Sequence, residues 1–330
     1  MCRLSWQANA ILWELGPVKF SSLVFFAVVL ATVSAAFAQQ PGSVLIPTKY
    51  VNGTFYAEPV TEHGDRLSFY TDTGGGLWIK KNAVDKDKLP TAAEGERTVL
   101  KPWPKFKQGQ AIPEPLGGLV TVMPEGEKLP GWARDWDGML GQQWFSGRIW
   151  TFDYPKQQLW LRDEKSIPRI DGTHTVSLGF QADASGKHST DFPRITVRID
   201  GENLDLLFDT GAQTFLAAPA RDALKLGSEQ RAASFITKST SDKWHKNHPQ
   251  WRYIEKAEEE TSADMIEVPQ VEVGGYTVGP VWFTVRPDKA FHEYMAQWMD
   301  KPVEGALGGS ALHYFRVTVD YVNAKAYFEK

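Results

Sequence analysis

The sequence predicts an all-β fold, β-rich with a few short helices and built as two pseudo-symmetric lobes. Two repeats carry that expectation: an Asp-Thr-Gly tripeptide that occurs twice, and a closing segment that occurs twice. The tripeptide stands at Asp72-Thr73-Gly74 inside LSFYTDTGGGLWI and at Asp209-Thr210-Gly211 inside LDLLFDTGAQTFL. At average residue frequencies it should arise by chance in roughly one chain in fifteen of this length, so one copy says little. Two copies in matching surroundings say more. Gly64 and Gly201 each stand eight residues before their aspartate, Leu67 and Leu204 five before, and Phe69 and Leu206 three before. Each stretch reads as a tight turn feeding a strand with alternate apolar residues on one face.

The second repeat sets GMLGQQWFSGRIWTFDYPKQQLWL, from Gly138, against GALGGSALHYFRVTVDYVNAKAYF, from Gly305. Without a gap, Leu140 pairs with Leu307, Gly141 with Gly308, Thr151 with Thr318, Asp153-Tyr154 with Asp320-Tyr321, and Trp160 with Tyr327. A turn between strands explains shared apolar residues. It does not explain a shared Gly-x-Leu-Gly followed by Asp-Tyr at one offset. The chain is an internal duplication, with lobes expected over 39–165 and 166–330 and the boundary in the polar run DEKSIPRIDG.

Strands are expected at 66–71, 117–123, 147–152, 194–199, 203–208, 269–273, 281–286 and 314–319. One helix is expected from Pro219 to Leu226, stopped by Gly227. A second is expected from Asp288, as N-cap, to Met299, with Phe291, Tyr294, Met295 and Trp298 as a core stripe. Between the landmarks the second half is longer, and its surplus, 228–265, reads as a charged excursion on the surface or over a cleft.

Apolar content of 42%, charged content of 23% and a net charge of -4 describe a soluble globular protein with no basic footprint for nucleic acid. Lys19, the apolar run 20–33 and Ala36-Phe37-Ala38 before Gln39 read as a secretory signal over 1–38. That run is shorter than the ~20 residues of a spanning helix. Export to the periplasm is expected, with no membrane attachment after signal removal. Cys2, the only cysteine, would leave with the signal, which excludes thiol catalysis and thiolate metal sites. Thirteen tryptophans suit cores and packed loops, with some available to a cleft.

An aspartate at a strand end projects its carboxylate into a cleft. Glycine permits the tight loop, and threonine can bond across to a partner loop. Two such loops joined by a pseudo-twofold axis would set Asp72 beside Asp209, where one proton is shared. That pair suits acid–base activation of a water.

The apolar strand, the Asp-Thr-Gly, the later Gly-x-Leu-Gly and the terminal Val-Thr-Val-Asp-Tyr resemble the retropepsin-like aspartic proteases, closest to their bacterial aspartyl protease group. The likeness covers most of the second half and about 40 residues of the first. It implies a retropepsin/pepsin-like acid protease fold with catalytic Asp72 and Asp209, supported by Thr73, Gly74, Thr210, Gly211 and Ala212. It implies no cofactor and no metal, and a peptide or unfolded protein as substrate. Gly75 departs from the family's usual Ala or Ser, and with Gly76 it predicts a loose first loop. Flap candidates are Leu116-Gly117-Gly118-Leu119 and the tip of the 228–265 excursion.

A monomer with both lobes is expected, although a homodimer pairing Asp209 with its copy would also supply two carboxylates. The alternative from another class is an inactive peptide-binding protein that keeps the cleft. His245 and His248 offer two metal ligands without an evident third, and no serine-hydrolase, zinc-protease or phosphate-loop motif is present. No basic prosegment is visible between Gln39 and Tyr70.

Overall fold

The computed structural model describes residues 42–124, 126, 136–168, 171–227 and 229–330. The expected signal segment lies outside the described residues.

In the first half the strands are β1 (Ser43–Leu45), β2 (Thr48–Val51), β3 (Thr54–Ala57), β4 (Phe69–Thr71) and β5 (Leu77–Lys80), then helix α1 (Lys81–Lys86). There follow β6 (Thr91–Glu94), β7 (Arg97–Leu100), β8 (Thr121–Met123), β9 (Gly138–Leu140), helix α2 (Gln142–Phe145), β10 (Ile149–Asp153) and β11 (Gln158–Arg162). The second half opens with β12 (Thr175–Ser177), β13 (Arg194–Ile199), β14 (Glu202–Phe208), β15 (Gln213–Phe215), α3 (Ala218–Leu224), β16 (Gln230–Ala232) and β17 (Ser234–Thr237). It continues with α4 (Lys238–Asn247), β18 (Tyr253–Ile254), β19 (Met265–Val268), β20 (Val271–Val273), β21 (Tyr276–Val278) and β22 (Val281–Arg286). It closes with β23 (Gly305–Leu307), α5 (Gly309–Leu312), β24 (Arg316–Asp320) and β25 (Lys325–Glu329).

The duplication is visible in the sheets. One runs β2-β3-β4-β9-β5-β8-β7-β6 and the other β18-β19-β22-β17-β23-β14-β13-β20-β21. Read from the aspartate strands, each has the same pattern. β4 lies parallel to β9, which is antiparallel to β5, which is parallel to β8. β14 lies parallel to β23, which is antiparallel to β17, which is parallel to β22. A third sheet, β1-β11-β10-β24-β25-β12, joins the halves through antiparallel β10 and β24. The expected β-rich, two-lobed architecture is what these sheets make.

Glycine sets the closest approaches. A Cβ on Gly138 would meet the Ile79 Cα of β5 at 2.9 Å, and one on Gly305 would meet the Ile236 Cα of β17 at 3.0 Å. The shared Gly-x-Leu-Gly is thus a packing requirement of β9 and β23. Beneath the sheets Trp144, Trp150, Phe145 and Phe152 pack in one core with Phe208, Phe315 and Phe328.

Several expectations need correction. The 228–265 segment is no loose excursion: β17 is an inner strand, and α4 packs Trp244 against Phe283 of β22. Its charged residues lie on the helix's outer face, which hid the strand before it. The 288–299 helix is a π-helical turn, Ala290–Tyr294, followed by a 3-10 turn, Met295–Gln297. Asp288 accepts instead from the Ser239 N–H of α4 at 3.0 Å. Of the stripe, Phe291 is buried while Tyr294 is 65% exposed and Trp298 43%. The helix at 219–226 ends at Leu224, with Lys225 rather than Gly227 taking the left-handed turn at φ 54°. The expected strand at 117–123 shortens to β8, and the β2–β3 and β6–β7 hairpins and β5 were not foreseen.

Candidate active site

β4 delivers Asp72 and β14 delivers Asp209, each just past the last strand residue. Each is fixed by the parallel neighbour: the Asp72 N–H donates to Leu140 O at 3.1 Å and the Asp209 N–H to Leu307 O at 3.0 Å. The two halves of each repeat, aspartate loop and Gly-x-Leu-Gly, are therefore one structural unit.

The loops cross-bond. Thr73 Oγ1 donates to Phe208 O at 2.6 Å and accepts from the Thr210 N–H at 3.0 Å, while the Thr73 N–H reaches Thr210 Oγ1 at 3.2 Å. Thr73 and Thr210 are both buried. The Gly74 N–H donates to Asp72 Oδ1 at 2.8 Å, and the Gly211 N–H to Asp209 Oδ1 at 3.0 Å. Each glycine also makes room for the opposite carboxyl. A Cβ on Gly74 would sit 2.8 Å from Asp209 Cγ, and one on Gly211 would overlap the Asp72 carboxyl.

The two carboxyls lie side by side, each against the opposite loop's glycine, and both line a cavity of about 300 Å³. Both are nearly buried, at 9% and 8% exposure. Burial raises the Asp72 pKa above the ordinary value, held back by the bonds from Asp209 and Gly74. Asp209 is raised well above it, by burial first and then by the Asp72 charge. Two carboxylates this close hold one proton between them, so the pair carries a single negative charge.

Ala212 is buried beside Gly308 and lines the same cavity. Gly75 is not loose: a Cβ there would lie 2.6 Å from both Asp72 Oδ2 and Met139 Sδ. Alanine or serine is excluded by the close approach of that carboxylate, so the departure is steric. Gly76, by contrast, faces open space up to Trp78.

Sequence reasoning did not single out Tyr70, whose hydroxyl donates to Gly211 O and whose ring lines the cavity. The pattern to find it was present, two residues before Asp72 on the same strand face. The remaining wall comes from Gln213, Phe215 and Phe235, and from Glu258, Glu260, Thr261 and Arg286. Glu258 to Thr261 form the strap at the tip of the 228–265 segment, so that flap candidate borders the cavity. Residues 116–119 do not line it. Gly118 packs on Gln143 and Leu116 on Gly147.

His245 packs at a tilt against Tyr253, and His248 bonds to Asp200 Oδ1 at 2.8 Å. Among the described residues no cluster of three metal-ligating side chains occurs, and no helix is long and apolar enough to cross a membrane. Asp153 and Asp320 are buried, and each caps the turn after its strand, Asp153 Oδ1 by the Lys156 N–H at 3.1 Å and Asp320 Oδ1 by the Val322 N–H at 3.0 Å.

No family model matches the chain, and no curated protein does. Among solved structures it is similar to the aspartic proteinase from Irpex lacteus, at 10% identity over 87% of this chain and 97% of that one, with a TM-score of 0.42.

Proposed function

We propose that the protein is an aspartic endopeptidase that hydrolyses peptide bonds with a water activated between Asp72 and Asp209. The observation that carries this reading is the pair of adjacent buried carboxyls lining one cavity, held by reciprocal Thr73 and Thr210 bonds. In this reading Asp72 is the ionised member and takes a proton from water as the water oxygen attacks the carbonyl carbon. Asp209 gives its proton to the carbonyl oxygen, which forms a neutral tetrahedral diol. Asp72 then passes its proton to the leaving nitrogen, the C–N bond breaks, and Asp209 recovers a proton from a diol hydroxyl. No covalent intermediate forms, and the dyad returns to its starting state.

Buried alignment favours this chemistry, since the donors to each inner oxygen are backbone N–H groups that need no reorganisation. The in-chain carboxyl partner favours a dyad within one chain over one between copies. Peptides or unfolded proteins are the substrate class, and residues 1–38 serve as the leader for export to the periplasm.

Asp72→Asn and Asp209→Asn are each expected to lower cleavage of an unfolded protein by roughly 10²–10⁴-fold. Undiminished cleavage by either variant would remove that aspartate from the dyad. Loss in Asp209→Asn alone would point to a pair between chains. Peptide binding without turnover in the unaltered protein would make it a peptide-binding protein.

A further inference from the structure

We propose that Glu260 selects substrates with a basic side chain next to the scissile bond, an inference that rests on the peptidase reading above. It follows from the charges around the cavity. Among its described lining residues the ionisable acids and bases are Asp72, Asp209, Glu258, Glu260 and Arg286. Arg286 and Glu258 neutralise each other through two parallel bonds of 2.7 Å. Thr214 and Thr261 donate to the remaining sites on that carboxylate. The dyad shares one proton and keeps one negative charge. Glu260 is exposed and has neither a hydrogen-bond nor an ion-pair partner among the described residues. The cavity therefore presents uncompensated negative charge and no uncompensated cation.

That charge is held in place. The strap is tied to the chain around β15 by Ala217 N–H to Ala257 O at 2.8 Å and by Glu259 N–H to Phe215 O at 2.8 Å. It is closed on itself by Glu258 N–H to Ala263 O at 3.0 Å. Glu258 is buried beneath it, with the Arg286 guanidinium 4.3 Å over the Phe235 ring. An anchored strap keeps the Glu260 carboxylate at the cavity wall without the entropy cost that weakens most exposed pairs. A lysine or arginine entering beside Phe215 and Phe235 can lay its methylenes on the rings and its charge towards Glu260. An aspartate or glutamate meets repulsion from both Glu260 and the dyad.

The test is cleavage-site profiling of a mixed peptide library by the protein, Glu260→Gln and Glu260→Lys. Anisotropy binding of labelled peptides with a central Lys, Gln or Glu is run in parallel. The unaltered protein should favour Lys or Arg over Gln at one position flanking the cut by about two- to fivefold, the range of a partly screened ion pair. Glu260→Gln should bring that ratio near one, and Glu260→Lys should turn it towards Asp and Glu. Cleavage with no basic preference, or a profile unmoved in Glu260→Lys, overturns the proposal and leaves the peptidase reading standing. Lys-peptide preference in binding with no cleavage by any variant does the reverse. Absence of preference in both assays ends the role of Glu260.

Discussion

Thr151 and Thr318 are counterparts in the duplicated sequence, and in the structure they face each other across β10 and β24 with hydroxyl oxygens 2.7 Å apart. A residue that pairs with its own counterpart lies on the axis relating the two halves, so this bond marks the centre of the joining sheet. Both are fully buried. Thr318→Val removes one hydrogen bond while Thr151 still accepts from Arg162 Nε at 2.6 Å, and is expected to cost about 1 kcal/mol, whereas Thr151→Val strips both the Thr318 hydroxyl and Arg162 Nε of that partner and should cost about 2. Urea denaturation of both and of the double variant checks this. Equal losses in the two single variants would contradict it.

The first aspartate loop offers a contrast between neighbours. Gly75→Ala forces a methyl to within 2.6 Å of Asp72 Oδ2, while Gly76→Ala meets nothing nearer than Trp78 at 3.7 Å. On the proposed mechanism, displacing the Asp72 carboxylate by a fraction of an ångström is expected to cost about 10²-fold in kcat. Gly75→Ala should show that loss, and Gly76→Ala should stay within about twofold of the unaltered protein. Steady-state kinetics on one peptide decides between them, and similar activity in the two variants would sink the steric account.

Much of this site was legible in the sequence because duplication writes the same constraints twice. Asp72 and Asp209, their threonines and glycines, and the Gly-x-Leu-Gly segments occupy equivalent positions, and the repeats aligned them without structural help. What was hidden has local causes. β17 is a four-residue inner strand followed at once by the charged helix α4, so no window showed a clean period. The Phe291 and Tyr294 pair looked helical, but a π-helical turn rotates Tyr294 out to solvent. Glu258 read as one charge in an acidic run. Only the fold brings Arg286, 28 residues away, onto it.

The dyad makes both rate and stability depend on pH. On the proposed mechanism the pair must hold one proton, so kcat/KM should be bell-shaped. Because both pKa values are raised, the acid limb should lie above the ordinary Asp value of 3.8 and the alkaline limb well above it. The folded protein binds protons that the unfolded chain has already released. Its stabilisation is therefore full below 3.8 and is lost as pH rises through the folded values. Asp209→Asn removes one carboxyl of the pair and should flatten the fall in Tm over that window. Parallel Tm-versus-pH curves for the two proteins would exclude Asp209 as its source.

The Arg286–Glu258 pair should behave as a buried ion pair, because the Glu258 side chain is 6% exposed and that of Arg286 20%. Removing one partner leaves a charge with desolvation it no longer offsets, a loss of about 3 kcal/mol or more for such pairs. Arg286→Met strands the Glu258 carboxylate beneath the strap, with only the Thr214 and Thr261 hydroxyls left to it. The double variant Arg286→Met, Glu258→Gln removes both charges and should recover most of the loss. The strap would still be tied by its backbone bonds, so KM should rise less than tenfold in the double variant and more in Arg286→Met alone. Chemical denaturation and peptide kinetics on the three variants measure both effects. If the double variant is as unstable as Arg286→Met, the loss comes from packing of Arg286 on Phe235 rather than from the charge it leaves behind.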